Sequence, residues 1–253
     1  MITEDAFSAA DAVDETVALT KAAASEAASS PKTNGYDALW IHADTVTALI
    51  IALGSRLPHS EQSKLVDFTV RLGQDIVSHP TNGTVLRLKE PDDAQFWTGM
   101  PRLAINLAEV WLRNSGVTSE DESRNQDFVN LSAFYAQLAE VKFQNFQGDI
   151  SWSLPRLTCM FDETRQVTRQ DVRVACMWLI YAPKKVLLDV QLRRKENRQV
   201  RFNQFKPEFW PQWKQFLQDC QQKPSSEISD KETQDLITKA LDSMGKAEAA
   251  AST

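Results

Sequence analysis

The chain has 253 residues, 42% of them apolar and 25% charged, with a formal net charge of −6. That length can bury a substantial core, and the acidic balance argues against general nucleic-acid binding, which needs a cationic footprint. Only 8 glycines and 10 prolines interrupt the sequence, too few turn residues for a sandwich or a doubly wound sheet, so helices are favoured.

Residues 1–34 form an Ala/Ser/acid-rich leader with one aromatic, Phe7. Apolar spacing at Phe7, Ala10, Val13 and Val17 allows a single helix, and the expectation is a mobile or loosely docked one. Helical periodicity then begins. Asp37 to Leu57 places Leu39, Val46, Leu49, Ile50, Leu53 and Leu57 on one broad face, stopped by Pro58. Ser60 reads as the cap of a second helix carrying Leu65, Phe68, Leu72 and Ile76, which ends before Pro80.

Thr81-Asn82-Gly83-Thr84 is a turn. Val85 to Leu88 alternates, but a lone strand would lack a partner, so no sheet is expected. Asp92 to Asn114 reads as a short helical entry at Phe96 and Trp97, a break at Gly99-Met100-Pro101, and a helix opened by Pro101 with Leu103, Leu107, Val110 and Trp111 buried. Phe128, Leu131, Phe134, Tyr135, Leu138 and Val141 mark the clearest amphipathic helix, over 125–145.

A compact stretch follows around Trp152, Leu154 and Leu157. Thr168-x-x-Asp171 resembles a capping box, and Val172 to Ala182 is apolar nearly all round, as a central buried helix should be. Pro183 should kink or restart the chain before Val186–Leu192. Two closing helices span 207–222 and 229–244, the second with Ser229-x-x-Glu232 as its capping box. The reading is an all-α, single-domain bundle of about eight or nine helices: a leader over 1–34 and a helical domain over 35–250.

Cys159, Cys176 and Cys220 are odd in number and far apart, which suits reduced core thiols rather than a disulfide framework. No basic start and apolar run of a signal peptide is seen, and no membrane span or glycosylation at the sequons of Asn82 and Asn130 is expected. The expected location is cytoplasmic.

Several landmarks together carry a family resemblance. Phe96-Trp97-Thr98-Gly99-Met100-Pro101, Asn130-Leu131-Ser132-Ala133-Phe134, Ala175-Cys176-Met177-Trp178 and the Trp210/Trp213 pair occur in the order and spacing of a fungal family, domain of unknown function 3632. The sequence resembles it over about residues 36–248. The resemblance implies a fungal source, a helical fold and, in some members, an association with specialised metabolism; it implies no agreed activity. Met100 stands where the family pattern has Leu, and Pro155 interrupts a stretch more continuously helical in the family.

The conventional chemistries are missing from the pattern. His42, His59 and His79 are scattered, without the paired spacing of a zinc-binding helix. Asp92-Asp93 and Asp162-Glu163 lack the turn-spaced partner that a magnesium–diphosphate site needs. No nucleophile elbow and no glycine-rich phosphate loop occurs, and no cofactor or metal is expected. The run holding Arg193, Arg194, Lys195, Arg198, Arg201 and Lys206 reads as a solvated linker rather than a phosphate strip.

What stands out is aromatic richness: seven tryptophans. Trp buries a large area yet keeps an N–H that wants a partner, and helix bundles build small-molecule sites between facing helices. The candidate binding residues are Trp97, Asn130, Phe134, Trp152, Arg156, Trp178 and Tyr181, around a cavity for a hydrophobic small molecule. The expected activity is a cofactor-free cyclase or isomerase, of the pericyclase type, that confines its substrate in a reactive conformer. The alternative is a non-enzymatic helical interaction scaffold, which expects a solid core and an exposed apolar patch.

Overall fold

The computed structural model describes residues 8–29, 38–88, 94–98, 100–114, 122–141, 167–196 and 208–252. Its architecture is all-α, with nine α-helices among the described residues: α1 (Ala9–Ser29), α2 (Ala38–Arg56), α3 (Ser63–Leu72), α4 (Pro101–Asn114), α5 (Glu122–Glu140), α6 (Arg169–Tyr181), α7 (Pro183–Glu196), α8 (Phe209–Gln222) and α9 (Lys231–Ala251). The described residues gather into two compact units that meet in sequence between Arg113 and Asn114.

In the first unit, α1 packs on both α2 and α3, burying Val13, Thr20 and Ala24. The buried face of α2 is Ala43, Thr47, Ile50, Ile51 and Gly54, not the leucine stripe expected from periodicity. Leu49 and Leu53 of that stripe are exposed, together with Ile41. Small residues let neighbouring helices approach, and Thr47 can be buried because its hydroxyl donates to the Ala43 carbonyl at 2.9 Å.

By length and a mean hydropathy of 1.5, α2 is apolar enough to cross a membrane. It also holds a polar edge: Asn106 Nδ2 of α4 donates to Asp44 Oδ1 (3.0 Å) and to Thr47 Oγ1 (2.9 Å). Arg102 pairs with Asp44 and lies over the Trp40 ring, 4.5 Å from its centroid.

The second helix starts later than Ser60. Residues His59–Glu61 form a 3₁₀ turn, and Gln62 is buried because its Nε2 donates to the Gly54 (2.8 Å) and Leu57 (3.1 Å) carbonyls, closing the end of α2. The helix also stops at Leu72, leaving Ile76 exposed beyond it. The expectation of a strand without a partner fails as well. Ser78 bridges Val85 around the Gly83 turn, where φ is +70°. β1 (Arg87–Leu88) then pairs antiparallel with β2 (Ala94–Gln95), so Phe96 and Trp97 follow a strand and not a helical entry. The chain turns at Met100, whose N–H donates to the Trp97 carbonyl at 2.8 Å, and Pro101 opens α4.

In the second unit, α6 is the central rod, packed against α5 and α9 and buried from Gln170 to Leu179. Thr168 starts it with the expected capping box: its Oγ1 accepts from the Asp171 N–H, and the Asp171 carboxylate accepts from the Thr168 N–H. Pro183 restarts the chain as α7, which carries Arg193, Arg194 and Lys195 on a helix rather than in a linker. α9 begins one residue later than expected. Asp230, not Ser229, is its cap and accepts from the Thr233 N–H at 2.9 Å, while the Ser229 hydroxyl donates to the Ser226 carbonyl.

Candidate ligand-binding cleft

Arg173 sits on the rod that periodicity marks as apolar. Its side chain is 8% exposed, and an isolated guanidinium there would be costly, so it must be paired. Nε donates to Thr233 Oγ1 at 2.9 Å, and Nη2 donates to Asp230 Oδ1 at 3.0 Å and meets Glu232 Oε2 at 3.0 Å. Nη1 reaches Gln126 Oε1 at 3.4 Å. One arginine thereby joins α5, α6 and the first turn of α9. Burial works to raise the Asp230 pKa, but the hydrogen bonds from Thr233 and Arg173 outweigh it and hold the carboxyl below its usual range.

Beside this knot lies an open cleft of about 310 Å³. Asn125 and Val129 of α5 form one wall, the Thr168–Gln170 turn and Arg173 another, and Glu122 and Glu227 complete it. Arg169 anchors its Nε on the Glu227 carbonyl at 2.8 Å. Its Nη1 lies 3.8 Å from Glu122 Oε1, beyond hydrogen-bond reach, and no described residue accepts a hydrogen bond from its two terminal nitrogens. Gln170 is the second notable group. It is 7% exposed, it lines the cleft, and its carboxamide makes no hydrogen bond to any described residue. An amide that lines a cleft without a protein partner is left to solvent or to a ligand.

A second cleft, of about 350 Å³, runs along Leu187, Val190, Trp210 and Glu248. Its charged and indole groups are engaged: Trp210 Nε1 donates to Glu248 Oε1 at 2.8 Å and Lys214 Nζ to Glu248 Oε2 at 2.6 Å. Gln191, also in its lining, is exposed.

The residues expected to wall an aromatic cavity are distributed differently. Trp152 and Arg156 lie outside the described residues. Trp97 belongs to the first unit, where its Nε1 donates to Thr20 Oγ1 at 3.0 Å and its ring meets Phe96 edge-on at 4.7 Å. Asn130, Phe134, Trp178 and Tyr181 belong to the second. Phe134 and Trp178 are 0% exposed, so neither borders a void that admits a water molecule. Tyr135 packs edge-on against Trp178 at 5.3 Å. Buried Asn130 accepts from Gln126 Nε2 at 3.1 Å, as a satisfied core amide should. Tyr181 is half-buried, and burial pushes its phenol above its usual range. Among the described residues, Phe134, Tyr135 and Trp178 pack as core within the second unit.

Sequence reasoning passed over Glu122, Arg169, Gln170 and Arg173. The available signal was Arg173 itself, a charge inside an apolar helix, because such a residue demands carboxylates nearby.

The profile of a family described as protein of unknown function (DUF3632) matches residues 48–217. Neither the curated proteins nor the solved structures give a match.

Proposed function

This chain belongs to the DUF3632 family, and we propose that it is a helical binding protein for a small polar molecule, seated in the cleft between α5 and the start of α6. One observation carries this reading: Gln170, a largely buried residue, lines that cleft, and its carboxamide has no hydrogen bond within the described residues. The terminal nitrogens of Arg169, held only in a loose 3.8 Å ion pair with Glu122, supply charge beside it. A few convergent polar groups in a concave site fix a ligand's orientation.

Cyclase or isomerase chemistry on a hydrophobic guest, of the kind associated with specialised metabolism, would need a pocket other than the Phe134–Trp178 core, because those rings border no space. The scaffold reading draws on the exposed Ile41, Leu49 and Leu53 of α2. That face is neutral and apolar and names no partner by its chemistry, so the cleft carries the conclusion.

The test is a thermal-shift screen of the full chain against small polar metabolites: amino acids, sugars, carboxylic acids and phosphate esters. At least one class should raise Tm in a saturable way, and Gln170→Ala should remove the shift while leaving the helical circular dichroism intact. A screen in which no polar compound shifts Tm, or in which Gln170→Ala responds as the wild type does, contradicts the reading.

A further inference from the structure

We infer that the cleft takes an α-amino acid, with the ligand carboxylate on Arg169 and its ammonium on Glu122. The inference rests on the binding function proposed above and adds the chemical class of the ligand.

The argument begins with a loose ion pair. Glu122 Oε1 lies 3.8 Å from Arg169 Nη1 and 3.7 Å from Arg173 Nη1, so it shares one face with two cations and bonds closely to neither. Glu122 is 62% and Arg169 42% exposed, and an exposed pair at this separation contributes at most about 1 kcal/mol. A solute can therefore part them at little cost.

Charge then selects among solutes. The cleft lining holds two cations, Arg169 and Arg173, and two anions, Glu122 and Glu227. A simple carboxylate would gain Arg169 but would sit against the Glu122 anion. A simple amine would gain Glu122 but would sit against the Arg169 guanidinium, Arg173 being already paired with Asp230 and Glu232. A molecule with both charged groups on one carbon replaces the loose pair by two closer ones and adds no net charge. A planar carboxylate matches the terminal edge of a guanidinium in two parallel hydrogen bonds, and Arg169 keeps that edge for the cleft because its Nε is the nitrogen held, donating to the Glu227 carbonyl at 2.8 Å and lying 3.4 Å from Asp230 Oδ2. Gln170, one residue along, offers both a donor and an acceptor for the ligand's remaining polar atoms. A volume of about 310 Å³ suits a single amino acid.

Isothermal titration calorimetry on the full chain with L-alanine, propionate and ethylamine tests this. L-alanine should bind at least tenfold more tightly than either single-charged analogue. Glu122→Gln should weaken L-alanine and strengthen propionate, because it removes an attraction for one and a repulsion for the other. A merely structural role for Glu122 would move both in the same direction. Arg169→Gln should weaken L-alanine at least tenfold. Propionate binding as tightly as L-alanine, or a Glu122→Gln variant with an unchanged ratio, overturns the amino-acid inference and leaves the binding cleft standing. No binding of L-alanine also overturns it; the metabolite screen then decides separately whether the cleft binds anything.

Discussion

Arg173 and Thr233 are joined by a 2.9 Å hydrogen bond from the guanidinium Nε to the hydroxyl, and the same guanidinium holds Asp230, the residue that caps the helix on which Thr233 stands. A side chain from the middle of the second unit thus fixes where α9 begins. Replacing Arg173 with Met should cost on the order of 2 kcal/mol, because it removes the hydrogen bonds to Thr233 and Asp230 and leaves Asp230 with only the 3.4 Å contact to Arg169. Arg173→Lys should recover little, since an ammonium cannot span three acceptors in a plane. Urea denaturation followed by circular dichroism measures both.

The capping box at the start of α6 makes a smaller, separable contribution. Thr168→Ala removes the hydroxyl that accepts from the Asp171 N–H and should lower stability by about 1 kcal/mol, with Thr168→Ser restoring most of it. The chevron or equilibrium midpoint of these two variants is sufficient to check this.

Trp178→Ala should destabilise the chain by about 3–5 kcal/mol, as the loss of a fully buried indole does. If the ring instead lined a ligand cavity, truncation would weaken binding of a hydrophobic compound while Tm stayed close to that of the wild type. Thermal melts of the variant separate the two.

His42 predicts a pH dependence in the first unit. Thr20 Oγ1 gives its proton to the Thr16 carbonyl at 2.7 Å and accepts from Trp97, so His42 Nε2, 3.0 Å away, must be a donor. Burial lowers the His42 pKa below 6.5. The unfolded chain therefore takes up the proton first. The stability contribution is full above pH 6.5 and is lost as pH falls through the lower folded value. Tm should decline from pH 7 toward pH 5, and His42→Gln should flatten that decline. Asp44, Asp230 and Glu248 contribute in a more acid range, because each carboxyl is held below its usual value by hydrogen bonds that outweigh burial.

Periodicity made the helices legible because most are amphipathic or wholly buried. The Thr168–Asp171 box, the rod ending at Pro183 and the turn at Gly83 were all readable from local residue chemistry. Three local readings failed for tertiary reasons. The α2 face turned so that, of the expected stripe, Ile50 is buried while Leu49 and Leu53 are exposed, with Ala43, Thr47, Ile51 and Gly54 completing the buried side. The strand at Arg87–Leu88 found its partner in Ala94–Gln95, further along the chain. Asp230 displaced Ser229 as cap because Arg173, distant in sequence, reinforces its carboxylate. The cleft was illegible for the same reason: Glu122, the Arg169–Gln170 pair and Glu227 come from three separate segments, and nothing in their spacing announces that they meet. The aromatic residues announced themselves by type, and Trp97, Phe134 and Trp178 are all buried.

The side-chain amide of Gln170 reports on the cleft most directly. In ¹⁵N-labelled full-length protein, titration with L-alanine should shift the Gln170 carboxamide resonances saturably, while those of Gln234, bonded to the Cys220 and Ile228 carbonyls, stay in place. Gln170 resonances that do not move with L-alanine or with any compound of the polar-metabolite screen would contradict the account.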